Sequence, residues 1–150
     1  PNTIILALNS VLMPRMANLY AKNDTIKTRN MMDNIMLFAM FMSVLMAFIL
    51  ARIAPNFAPW FYGDEFARCG LFIVILCPII IFKGWAGVLR TQYIIPKGKD
   101  RVFITSLTIG AVGNLIINYC LIPKYSGIGA VVGSVFAEFA VCLVQFTMIY

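Results

Sequence analysis

The chain has 150 residues, of which 61% are hydrophobic and only 12% charged, with a mean hydropathy of +0.88. Soluble domains are roughly a quarter charged, so the composition excludes a soluble globular protein and points to an integral membrane chain. The net charge of +6 does not require a nucleic-acid partner, because membrane proteins gather Lys and Arg in their cytoplasmic loops.

Five hydrophobic segments are separated by charged or turn-rich breaks. The first, about 1–20, contains Pro14, which a membrane helix tolerates. A polar loop follows, RMANLYAKNDTIKTR, carrying Arg15, Lys22, Lys27 and Arg29. The second helix is expected over about 33–53, with an uncharged core from Asn34 to Ala51 that is long enough to span a bilayer. Its methionines, Met36, Met40, Met42 and Met46, suit lipid contact or adaptable packing rather than chemistry.

The segment APNFAPWFYGDEF joins two prolines and a glycine to Trp60, Phe61, Tyr62 and Phe66. It reads as a turn-containing piece at the membrane interface, where aromatic belts form. The third helix, about 68–94, carries Lys83 roughly 22 Å from Arg68 and about 15 Å from Tyr93 at ~1.5 Å per residue. That is close to the midplane of a ~30 Å hydrocarbon core, where a lysine costs about 2.5–3.5 kcal/mol. Lys83, Gly87 and Arg90 share one helix face, forming a cationic groove.

After Pro96 the run KGKDR makes a basic turn, and the fourth helix is expected over about 102–122. PKYSG then gives a tight connection to the fifth, about 128–150. Alternate loops carry Arg15, Lys22, Lys27, Arg29, Lys97, Lys99 and Arg101 on one side against Arg52, Arg68 and Lys124 on the other. The first set therefore belongs in the cytoplasm, with the first, third and fifth helices running inward. Pro1 to Met13 lacks the basic leader of a signal peptide, and apolar sequence running to both ends reads as a fragment of a longer chain.

Two further helices carry polar faces. Ser106, Gly110, Asn114 and Asn118 recur at four-residue steps on the fourth, either as a packing stripe or as cavity lining. On the fifth, Gly129, Gly133 and Ala137 form a small-xxx-small packing seam, with Ser134, Glu138, Cys142 and Gln145 on an adjacent face. Glu138 lies about 15 Å into its helix, at a depth similar to Lys83. It is either the structural partner of a cation or polar neighbour, or a proton or ion site. Lys83 in turn is either paired, with Glu138 as the named partner, or a contact for an anionic substrate. Snorkelling to the interface explains Arg90 as well as substrate contact does.

The residues do not point to an enzyme. The chain has no histidine, which removes the usual base and the commonest metal ligand. Cys69, Cys77, Cys120 and Cys142 lack C-x-x-C spacing, so neither a zinc site nor a disulfide framework is indicated. GIGAVVG, from Gly127 to Gly133, nearly matches a dinucleotide motif but opens a membrane helix rather than following a soluble strand. No metal, cofactor or catalytic residue is expected.

The strings VLMPRMANLYAKND, APNFAPWFYGDEF, VLRTQYIIPKGKDRVF and GAVGNLIINYCLIPKYSGIGAVVGSVFAE together resemble the C-terminal half of bacterial Wzx-type polysaccharide flippases. These belong to the multidrug/oligosaccharidyl-lipid/polysaccharide (MOP, MATE-like) superfamily. The resemblance covers nearly the whole chain. It implies an all-α membrane bundle of two six-helix lobes around a central cavity, of which residues 1–150 would supply about five helices of the second lobe. The first lobe of the same chain would be missing.

It also implies translocation of an undecaprenyl-pyrophosphate-linked oligosaccharide across the bacterial cytoplasmic membrane by alternating access. Lys83 and Arg90 would then meet the pyrophosphate, Asn114 and Asn118 the sugar, and Glu138 a coupling proton or sodium ion. The rival readings are a lipid II or sporulation-type flippase of the same superfamily, a MATE-type multidrug or cation antiporter, and a non-transporting scaffold or channel subunit. An antiporter for cations would favour carboxylates over Lys83 and Arg90.

Overall fold

The computed structural model describes residues 2–22 and 24–149, and among these it is helical with no strand. Helix α1 spans Asn2–Ala21, α2 Thr25–Tyr62, α3 Ala67–Leu89, α4 Asp100–Tyr125 and α5 Gly127–Ile149. Of these, α2 to α5 are long and apolar enough to cross a membrane, α3 together with the turn that extends it. Among the described residues there are thus four candidate spans, as in a multi-pass membrane protein, and α1 is not one of them.

Helical structure runs well past the apolar cores. The expected polar loop over 15–29 is largely helix: α1 continues through Arg15 to Ala21, and α2 begins at Thr25. Asp24 starts α2 by accepting the Lys27 N–H at 3.1 Å, while its backbone carbonyl accepts the Thr28 hydroxyl at 2.7 Å. A side-chain oxygen placed there satisfies an amide that the first helical turn leaves unpaired. The expected interfacial turn is also helix, since α2 continues through Pro55 and Pro59 to Tyr62. It stops at Gly63, whose φ of 94° suits glycine and whose N–H bonds to the Pro59 carbonyl at 2.9 Å. At 38 residues α2 is roughly 57 Å long, nearly twice the hydrocarbon thickness, so its ends project beyond the membrane core.

A 3-10 turn, Asp64–Phe66, leads into α3, which passes without a break into a π-helical turn, Arg90–Ile94. There the Ile95 N–H reaches back to the Arg90 carbonyl at 2.9 Å. The connection PKYSG is shorter than expected: α4 runs through Pro123 to Tyr125, and Ser126 alone, at φ 51°, makes the reversal.

The helices pack in the spatial order α4, α5, α3, α2, with α1 against α2, α3 and the π turn. What allows this is small residues. On α2 the buried positions from residue 39 onward are Ala39, Ser43, Ala47, Ala54 and Ala58, with Thr28 and Ile35 buried nearer its start; large side chains such as Phe41 and Phe48 face outward. A Cβ on Gly84 of α3 would collide with the Ser43 hydroxyl, and one on Gly70 would lie 3.0 Å from the Ala54 carbonyl oxygen. On the other flank a Cβ on Gly110 would meet Val141 at 2.5 Å, one on Gly129 would meet the Leu121 backbone at 2.7 Å, and one on Gly133 would overlap the Asn118 side chain. Lipid tails are as apolar as leucine, so close backbone approach, rather than burial of grease, holds such helices together.

The α2–α3 seam is marked in the sequence by Ala39, Ser43 and Ala47 at four-residue steps and by Gly84. Met36 joins a small cluster with Met16, Ile35, Ala39 and Val88 that ties α1 to the bundle.

Candidate functional site

Lys83 and Glu138 meet across the interface of α3 and α5, with the ammonium 3.1 Å from a carboxylate oxygen. Both helices run the same way, so residues equally spaced along them align. Phe72 lies at Gly127, and Lys83 at Glu138. The equal depths inferred from sequence are therefore matched by direct contact. Two aromatic pairs bracket the ions: Phe82 with Phe139 at 5.5 Å between centroids and Trp85 with Phe146 at 6.0 Å, both edge-to-face. Such pairs fix the helix register, because edge-to-face rings tolerate little sliding.

The pair is not sealed. Lys83 keeps 47% of its side-chain surface exposed and Glu138 keeps 28%. A half-open cation at this depth is compensated by one carboxylate and still offers hydrogen-bond donors on its open side, since an ammonium has three.

Arg90 sits at the start of the π turn with its guanidinium 5.3 Å from the centre of the Phe103 ring of α4. Its Nε is buried without a hydrogen-bond partner. Stacking over an aromatic face stabilises the charge without neutralising it. π-Helical turns are often found at functional positions. Here the turn ends the α3 face that carries Lys83 and places Arg90 about 10 Å further along.

Asn114 and Asn118 are not brought to these cations. The Asn118 amide donates to the Asn114 side-chain carbonyl, and the Asn118 carbonyl oxygen is buried against Gly133. That stripe faces α5, which lies between α4 and α3. Gly129, Gly133 and Ala137 lie on the same seam: the first two approach Leu121 and Asn118, and the Ala137 carbonyl approaches Gly110.

Sequence reasoning placed Ser106 and Gln145 on separate helices without joining them. Gln145 Nε2 donates to Ser106 Oγ at 3.1 Å, and Ser106 donates to the Phe103 carbonyl at 2.7 Å. Both side chains are buried. The arrangement fixes Phe103, the ring beneath Arg90, to α5. Nothing in the sequence spacing announces a bond between residues 39 positions apart. Gln92, in the π turn, is also fully buried.

The described residues contain no cluster of His, Cys, Asp or Glu able to hold a metal. Comparison with family models, curated proteins and solved structures gives no match.

Proposed function

We propose that this chain is part of a lipid-linked oligosaccharide flippase of the bacterial cytoplasmic membrane, contributing helices of the second lobe of a MOP-type transporter. The observation that carries the reading is the half-open Lys83–Glu138 pair at mid-depth in the apolar helices. The string resemblance set out above supports it independently.

The chemistry follows from competition for one cation. A pyrophosphate group is multiply anionic, and its transfer from the leaflet surface costs less where a cation waits in a low-dielectric groove. Lys83 has an exposed side from which a phosphate oxygen can approach. Its arrival weakens the hold of Glu138, and a proton or sodium ion taken up by Glu138 weakens it in the same direction. Substrate and coupling ion thereby act on a single contact. Arg90, one cation further toward the basic end, receives the phosphate before or after Lys83. The sugar contacts that the resemblance implies for Asn114 and Asn118 do not enter the proposal, because those side chains bond to each other against α5. A cation antiporter is less well supported, since the intramembrane carboxylate Glu138 is already neutralised by Lys83.

The test is Lys83→Gln and Arg90→Gln in the whole protein, with surface polysaccharide and protein level measured together. Export should fall at least tenfold at unchanged protein level. Unchanged export would end the proposal. For the coupling role, Glu138→Gln should abolish dependence of transport on the ion gradient, and full retention of that dependence would remove Glu138 from the mechanism.

A further inference from the structure

At the basic end of the bundle, a cavity of about 530 Å³ opens between the end of α1, the first turns of α2, the π turn and the end of α5. Ligand pockets typically measure about 300–1,000 Å³, so the space exceeds what a free phosphate ion needs. Its polar wall carries Arg29, Lys97, Tyr20 and Tyr93, and its apolar wall includes Met32, Leu89 and Ile149.

Neither cation on this wall is paired with a carboxylate among the described residues. Arg29 is exposed and makes no salt bridge among the described residues. The Lys97 ammonium sits 3.9 Å from the Tyr93 ring centre and 5.0 Å from that of Tyr20. Those two rings stand edge to face at 6.3 Å. Ring faces hold a cation in place but leave its charge uncompensated. Asp33 is the single carboxylate on the wall, so the lining carries net positive charge. Burial, with Tyr93 alongside, pushes the Tyr20 hydroxyl up to about 12, which keeps it a neutral hydrogen-bond donor at physiological pH.

We propose that this cavity binds the phosphodiester headgroup of an anionic membrane lipid, with Arg29 and Lys97 on the phosphate and the apolar wall receiving the start of an acyl chain. The position fits that ligand. The cavity lies where membrane-spanning helices reach their polar end, beside Lys99 and the KGKDR turn. Positive charge concentrated there faces the leaflet in which anionic lipids attract basic residues. A soluble anion would need no apolar wall; a lipid does. The inference does not depend on the transport proposal, because neither Lys83 nor Glu138 lines this cavity.

The whole protein in neutral detergent is titrated with dioctanoyl phosphatidylglycerol, dioctanoyl phosphatidylcholine and inorganic phosphate, with bound ligand counted by native mass spectrometry. Phosphatidylglycerol should bind in preference to phosphatidylcholine of equal chain length. Arg29→Gln should weaken it about fivefold, the effect of one basic residue at a membrane surface. Adding Lys97→Gln should weaken it about 25-fold in total. Arg101→Gln, at the same end but off the lining, should change it less than twofold.

Equal binding of the two lipids overturns the proposal, as does inorganic phosphate binding as tightly as phosphatidylglycerol. An unchanged Arg29→Gln variant, or an Arg101→Gln loss as large as that of Arg29→Gln, does the same. Arg29 makes no salt bridge among the described residues, so its variant decides the matter even where loss of the Lys97 stacking prevents folding.

Discussion

Replacing Glu138 by Gln leaves Lys83 without its counter-ion in the middle of α3, and the consequence can be bounded. At 3.1 Å the gross attraction is about 5 kcal/mol at an effective dielectric constant near 20. Desolvation of both ions opposes it. Breaking a fully buried pair costs about 3–5 kcal/mol, whereas exposed pairs are worth about 0–1 kcal/mol. With 47% and 28% of the side-chain surfaces open, the coupling should fall between these limits, at about 1–3 kcal/mol.

The assay is a double-mutant cycle on Lys83→Gln, Glu138→Gln and the double variant, by reversible unfolding in mixed detergent micelles. The exchange Lys83→Glu with Glu138→Lys is the companion variant. It should recover most of the lost stability, because the distance is kept, while transport stays lost, because the cation has moved from α3 to α5. A coupling below about 0.5 kcal/mol, the usual scatter for independent sites, would refute the view that the pair holds these helices. Restored transport in the exchanged variant would refute a positional need for the lysine.

Two further outcomes follow from the packing. Gly84→Ala should destabilise by about 1–3 kcal/mol as an overpacked site, and Ser43→Ala in the same chain should recover part of it, since the Ser43 hydroxyl is the nearest obstacle; unfolding of the single and double variants checks this. Gln145→Leu should cost only about 0.6 kcal/mol, the mean for interhelical hydrogen bonds in membranes, because Ser106 keeps its bond to the Phe103 carbonyl.

At the start of α2, the hydrogen bond from Lys27 holds the Asp24 carboxyl below the usual carboxylate range. A lowered folded value means its stabilisation is present above the ordinary carboxylate pKa of about 3.9 and is lost as pH falls below it. The protection factor of the Lys27 amide, its exchange relative to the intrinsic rate at each pH, should therefore fall as pH drops below about 3.9 in the parent and stay low and flat over the same range in Asp24→Ala.

Much of the architecture is legible in the sequence. Membrane helices announce themselves through unbroken apolar length, and the spacing of Gly129, Gly133 and Ala137 marked one face of α5 for close approach. The same pattern was present on α2, as Ala39, Ser43 and Ala47, and on α3 at Gly84. Hydropathy makes helices look shorter than they are, because it reports the part of a helix that touches lipid, whereas backbone hydrogen bonding continues into water. That is why α2 begins at Thr25 and reaches Tyr62 rather than stopping near residues 33 and 53.

That Lys83 and Glu138 lie at similar depth follows from sequence alone, because depth depends only on rise per residue along each helix. Whether they touch depended on which helices are neighbours, and that was decided by packing, with small residues fitting α5 to α4 and ring pairs joining α5 to α3. The same fit turned the Asn114–Asn118 stripe toward α5 and away from the cations. Packing of α2 and α1 against α3 and its π turn brought Arg29 and Lys97, far apart in the chain, onto one wall. Local periodicity sets the faces a helix can offer; only the packing of several helices decides which face meets which.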